Sequence, residues 1–324
     1  MLDWALAVLE NVIAPSLKTS IEIFTWIGVL AAGPVQIASH HRSDPYVKRG
    51  ATPLVKVALI SDLHFDVNRQ SVDALLPQQA GYLMQQGVGL YLIAGDITNH
   101  FTQSLDYVTR LQRLIAPAQV RFIAGNHDML HDVTYSALES PLAPTYLHQG
   151  QLDVSGTNWR IIGNNGWYDY QFADNLVNRD FLTWKRAFWV DGTIEQPQTD
   201  PQRMDHVLET VTSQLEQAQA EHKRVLFMTH FVPHRAYIRY TDDNRFWNMA
   251  NAMLGSPRMG DLLDRYHVEV VQFGHVHRHF EPRQFEQTTY YDQAVGYHNR
   301  RINEWTQSDY FTEWRDRMRF LELK

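Results

Sequence analysis

Acid, amide and imidazole side chains recur in short clusters along this chain of 324 residues, each directly after an apolar run. Residues 54–60 lead into Ser61, Asp62, Leu63 and His64, and residues 89–94 lead into Gly95 and Asp96. Residues 120–124 lead into Gly125, Asn126, His127 and Asp128; residues 225–229 lead into His230; residues 268–273 lead into Gly274, His275, Val276 and His277. Carboxylate, amide oxygen and imidazole are ligands for divalent transition metals. Asp62 and His64 stand two apart, so on extended backbone their side chains share a face and can serve one ion. His275 and His277 repeat that spacing. Asp96 follows a glycine, which permits a sharp turn and close backbone approach, and one carboxylate there can bridge two cations. Asn126 adds an amide oxygen without charge. Two carboxylates facing two divalent ions leave a net positive site, which suits a phosphate ester and lowers the pKa of bound water toward neutrality.

The elements that must position these groups are legible in the same pattern. Each apolar run of about five to seven residues reads as a buried strand. Amphipathic stretches over 72–86, 104–115, 204–222 and 260–266 read as helices between several of them. Such alternation predicts an α/β sheet with helical cover. In open α/β sheets the ligands gather beyond the carboxyl ends of the strands, which is where all five clusters fall. A further strand is expected over 158–163. The tail predicts a strand near 288–297, a short helix near 309–316 and a last strand over 318–323. Residues 167–200, aromatic and irregular, are expected to form a cap or rim.

Composition narrows the function classes. Hydrophobic residues make up 44% and charged residues 20%, so the chain is globular rather than disordered. The formal net charge of −7 argues against a nucleic-acid backbone as partner. There is no cysteine among the residues, which excludes disulfides and thiolate metal sites. Any metal is therefore held by nitrogen and oxygen: manganese or iron is expected, and zinc, cobalt or nickel fits the same donors.

Taken in order, the series Asp62-x-His64, Gly95-Asp96, Gly125-Asn126-His127-Asp128, His230 and Gly274-His275-x-His277 resembles the calcineurin-like metallophosphoesterase superfamily over roughly residues 54–280. The resemblance implies a four-layer αββα sandwich of two mixed β-sheets flanked by helices, with the metal site at the C-terminal ends of the strands. It implies that Asp62, His64 and His277 hold one ion, that Asn126, His230 and His275 hold a second, and that Asp96 bridges them. It further implies hydrolysis of phosphate mono- or diesters by a metal-bridged hydroxide, with His127 as general acid and Asp128 orienting it. An imidazole suits that task because it titrates near operating pH. Phosphoprotein phosphatases of this superfamily carry Gly-Asp-x-Val-Asp-Arg-Gly, whereas this chain has Gly95-Asp96-Ile97-Thr98-Asn99-His100. That difference points to phosphodiesterases and small-molecule phosphatases. A nuclease of the same fold is the alternative enzyme, and a non-catalytic scaffold is the alternative outside enzymes.

Other candidates stand at the margins. Asn99 and His100, close after the bridging aspartate, are candidates for contact with substrate, as is Asn126; capping of the next helix is the competing reading of Asn99 and His100. Asp128 also reads as a turn residue. The cluster from Trp167 to Phe172 reads either as loop packing or as a platform for a planar leaving group. Trp184, Phe188 and Trp189 have near-helical spacing and are expected in the core. Residues 1–50 read as an amphipathic extension and linker preceding a domain over 51–324. No basic leader opens the chain, so the cytoplasm is the expected compartment, and the apolar residues 1–37 leave membrane association as the alternative. The expected partner is a small-molecule phosphate ester.

Overall fold

The computed structural model describes residues 54–242 and 245–324; the N-terminal extension read from the sequence lies outside them. Ten strands are present among the described residues: β1 (Val55–Ile60), β2 (Leu90–Ala94), β3 (Gln119–Ile123), β4 (Gly150–Asp153), β5 (Trp159–Gly163), β6 (Arg224–Met228), β7 (Val270–Phe273), β8 (Arg283–Phe285), β9 (Thr288–Asp292) and β10 (Arg319–Leu323). The helices are α1 (Val72–Gln85), α2 (Phe101–Ile115), α3 (Tyr135–Leu138), α4 (Phe181–Phe188), α5 (Asp200–Ala220), α6 (Arg245–Ala250), α7 (Pro257–Arg265) and α8 (Tyr310–Arg317).

The strands form two mixed sheets. One has four strands in the order β10-β1-β2-β3, and the other has six in the order β4-β5-β6-β7-β9-β8. Inner strands run parallel, and antiparallel partners close the edges at β10, β4 and β8. Side-chain alternation explains why these runs are apolar on both faces. Val57, Leu59, Leu90 and Leu92 of the first sheet share one core with Ile161, Leu226 and Met228 of the second. The intervening residues, among them Ala58, Ile60, Tyr91, Ile93 and Phe227, pack with helix residues such as Leu76, Leu83, Leu111, Val211 and Leu215. Each fully buried aliphatic side chain contributes about 1.5–3 kcal/mol, so both sheets are fixed against each other and against their helices.

Local signals account for most boundaries. α5 starts at Asp200 rather than at the expected residue 204, because Thr199 and Gln202 form a capping box with Pro201 in the first turn. α8 is tied to the first sheet by Trp314 Nε1, which donates to Tyr91 Oη at 2.9 Å. Strand β4 and helices α3 and α6 are short and had no periodic signal. Trp167, Tyr168 and Phe172 are buried in the large core, so the aromatic run is packing. The expectation for Phe188 is corrected: it ends α4 and is 63% exposed. Among the described residues no helix is long and apolar enough to cross a membrane.

Candidate metal centre

Every candidate ligand lies on the loop just past a strand end, and the two sheets contribute together. Asp62 and His64 follow β1, Asp96 follows β2 and Asn126 follows β3. His230 follows β6, and His275 and His277 follow β7 of the other sheet. Main-chain bonds zip these loops into register. Asp62 N–H donates to Gly95 O at 2.9 Å, His64 N–H to Asp96 O at 3.0 Å, and Gly274 N–H to His230 O at 2.9 Å. The seam between sheets is closed by Gln272 Nε2, which donates to Ile60 O at 2.8 Å, and by the His275 amide, which donates to Asp62 Oδ1 at 3.0 Å.

Two donor groups result, sharing one carboxylate. Asp62, His64, Asp96 and His277 offer one ligand atom each within 4.8 Å of one another, and Asp96, His230 and His275 do the same. Asn126 joins the second group through Oδ1, which is 3.1 Å from His230 Nε2. His64 Nε2 and His277 Nε2 face each other at 3.0 Å, and His230 Nε2 and His275 Nδ1 at 3.2 Å. Imidazole nitrogens so close repel unless a proton or cation lies between them.

The surroundings fit metal ions. His230 Nδ1 donates to Ala94 O at 2.8 Å, and His277 Nδ1 lies 2.9 Å from Glu304 Oε2. Such outer bonds set the tautomer and aim Nε2 inward. Asp62, His64, Asp96, His275 and His277 all have positive φ, between 44° and 74°. That left-handed backbone costs about 1–3 kcal/mol per residue with a Cβ, and such strain clusters at functional sites. Gly125 and Gly274 are required where they stand. A Cβ on Gly125 would overlap the Asp96 carboxylate, and one on Gly274 would overlap that of Asp62.

Electrostatics are those of a site built for positive charge. Burial raises the Asp62 carboxyl, yet the neighbouring His277 overrides it and holds the group at about 2. Burial lowers His230, but the Asp96 charge outweighs it and pushes the imidazole up to about 9. Burial and the nearby His230 take His275 down to about 3. Donors of mixed protonation around two carboxylates are ready to exchange protons for cations.

His127 stands beside the donors without joining them. Its ring is 4.7 Å from that of His64, and its amide donates to Asp96 Oδ1 at 2.8 Å. Its Nδ1 lies 2.7 Å from Asn99 Oδ1, and its Nε2 lies 2.9 Å from Tyr297 Oη. An amide oxygen only accepts, so Nδ1 carries hydrogen and Nε2 is the nitrogen free to exchange a proton. Burial lowers the pKa of this imidazole, with Asp96 opposing.

The orienting role expected of Asp128 is corrected. Its buried carboxylate accepts from the amides of Asp96 at 2.7 Å, Ile97 at 3.0 Å, Thr98 at 3.3 Å and Gly125 at 2.9 Å, and from Ser104 Oγ at 2.6 Å. It shapes the Asp96 turn, and Asn99 orients His127 instead. His100 takes the N-cap position of α2 without a side-chain cap bond and turns to Asp132, with 2.8 Å between Nδ1 and Oδ2. Glu304, Tyr297 and Asp191, which accepts from Asn126 Nδ2 at 2.7 Å, had no motif to reveal them. Glu304 and Tyr297 share one loop after β9, where the Tyr297 amide donates to Glu304 Oε2 at 2.7 Å.

The sequence profile of the calcineurin-like phosphoesterase family matches residues 55–279. No curated protein matches the chain. Among solved structures, the phosphopantetheinyl hydrolase of Mycobacterium tuberculosis is similar with a TM-score of 0.60 at 16% identity, covering 84% of this chain and 97% of its own. A dimetal phosphatase from Danio rerio has a TM-score of 0.43 at 14% identity, covering 74% of this chain and 86% of its own. The anchor in the inner membrane complex of Plasmodium has 0.42 at 12% identity, covering 75% and 72%.

Proposed function

This chain belongs to the calcineurin-like phosphoesterase family, and as a metal-dependent phosphoester hydrolase of that family we propose that it works through two cations held at the seam of its sheets. Asp62, His64, Asp96 and His277 would hold one, and Asp96, Asn126, His230 and His275 the other. The observation that carries this reading is the sharing of Asp96 by two separate donor groups. Cations held there would supply a hydroxide nucleophile at neutral pH and neutralise charge on the phosphoryl oxygens.

The residues of the chain supply the rest. Asp62 and Asp96 contribute only two negative charges, so the loaded site attracts a phosphate ester. His127 would donate to the leaving oxygen from Nε2 when its ring has taken up a second proton from solvent, and Asn99 Oδ1 holds Nδ1–H so that the ring keeps one orientation. Tyr297 Oη occupies Nε2 until the leaving oxygen takes its place. General acid catalysis of this kind contributes about 10²–10⁴-fold, most for alkoxides that leave poorly.

Small-molecule phosphate esters are the substrate class that fits the family and the Gly95–His100 segment. A hydrolysis panel with Mn(II) tests it: p-nitrophenyl phosphate, bis-p-nitrophenyl phosphate, cyclic nucleotides, and a phosphopantetheinyl ester, because the mycobacterial relative is named for that activity. Hydrolysis of at least one ester that stops with chelator and returns with metal is the expected result. No hydrolysis of any ester by protein carrying two ions would overturn the reading.

A further inference from the structure

Asp191 belongs to no motif, yet it is fully buried beside the metal centre. It sits in the single turn Val190–Thr193 of the segment between β5 and α5. Its Oδ1 accepts from Asn126 Nδ2 at 2.7 Å, and the Lys185 charge and the Tyr168 hydroxyl also favour the ionised carboxylate against the effect of burial. Taking a carboxylate fully out of water is costly, so stability alone does not account for it. The geometry around Asn126 does. A side-chain amide has one end that ligates a cation and one that does not. Asp191 takes the nitrogen, which leaves Oδ1 facing His230 Nε2 at 3.1 Å.

Asp191 is itself held from behind. α4, which leads into its turn, carries the buried Lys185, whose Nζ reaches both Asp200 oxygens at 2.6 and 2.8 Å. Asp200 also accepts from Trp167 Nε1 at 2.8 Å and from Gln196 Nε2 at 2.7 Å. Gly192 lies so close to the Lys185–Arg186 backbone that a Cβ there would clash with it. The segment from Lys185 to Asp200 is thus pinned at both ends and presents one carboxylate to one candidate ligand.

We propose that Asp191 is a positioning residue: it fixes the oxygen-inward orientation of Asn126 and so sets the affinity of the second cation, leaving the first untouched. The inference rests on the two-cation reading above. Nothing else bonded to Asp191 belongs to the first donor group, which depends on Glu304 for its outer support.

The test is Mn(II) binding to the full chain after chelator stripping, with ions per chain and each affinity measured for wild type, Asp191→Ala, Asp191→Ser and Asp191→Asn. Losing an outer partner of a ligand typically weakens metal affinity about 10–100-fold. Asp191→Ala and Asp191→Ser should each lose that much at one ion and keep the other at wild-type affinity. Asp191→Asn still offers an oxygen to the Asn126 amide and should recover most of the loss. The Ser variant keeps the comparison open if the Ala variant fails to fold. Unchanged binding of both ions in the truncated variants, equal loss of both, or an Asn variant no better than Ala would each overturn the proposal. Wild-type protein that binds fewer than two ions would instead sink the two-cation reading.

Discussion

Asn99 Oδ1 lies 2.7 Å from His127 Nδ1, and this one contact sets which ring nitrogen faces the metal centre. With Nδ1–H committed, proton exchange is confined to Nε2, the side that also meets Tyr297 Oη. His127→Ala is therefore expected to keep both ions and lose about 10²–10⁴-fold in turnover on alkyl esters. Esters of p-nitrophenol, whose leaving group needs no proton, should lose much less. Asn99→Ala should show the same selectivity to a smaller degree. Steady-state kinetics on paired substrates, with metal content measured alongside, checks both; equal losses on the two ester types would contradict the acid role.

Asp128 gives a contrasting expectation. Five donors converge on its carboxylate, four of them main-chain amides. In Asp128→Asn an amide N–H₂ would face donors in place of an acceptor, and each lost buried bond costs about 1–3 kcal/mol. Burial, with the Asp96 charge adding to it, pushes this carboxyl up to about 7. The variant should lose about 2–3 kcal/mol in urea unfolding and lose metal as the Asp96 turn slackens. A stable, fully loaded but inactive protein would restore the orienting role to Asp128.

Most of the fold was readable because its strands are apolar on both faces and short. The candidate ligands could be picked out because each follows a strand end directly. What failed had a physical cause. Asp128 is next to His127 in the chain, but adjacent side chains on this tight turn diverge, and the partner of His127 comes from 28 residues away. Phe188 has helical spacing, but α4 lies at the surface and that residue faces out. Asp191, Tyr297 and Glu304 sit on irregular segments, where no periodicity announces which distant residue a side chain will meet.

Glu304 should act on the first cation alone. It accepts from His277 Nδ1 and from the Tyr297 amide. Glu304→Ala is expected to weaken one ion by about 10–100-fold, and Glu304→Gln by less. Gly274→Ala, which would drive a Cβ into the Asp62 carboxylate, should act on the same ion. Loss confined to the second ion in either variant would contradict the assignment of His277 and Asp62 to the first.

Loading should release protons. In protein stripped of metal, Asp96 pushes His230 up to about 9 against the effect of burial. His277 is also raised well above the usual imidazole range: burial lowers it, but Asp62 and Glu304 outweigh that. Below these pKa values a proton occupies the nitrogen that a cation must take. Apparent metal affinity should therefore fall as pH drops below about 9. Calorimetry in buffers of different ionisation enthalpy should show proton release at pH 7; release of none would contradict the inward aim of these imidazoles.

Asp96 is where the account is most exposed, because both donor groups depend on it. The direct test is the metal content of purified wild-type protein and of Asp96→Asn after loading with Mn(II) and removal of free ion. Two ions per chain in the wild type and neither retained by the variant is the expected result. A wild type holding one ion, or a variant still holding two, would contradict a centre built on a shared carboxylate.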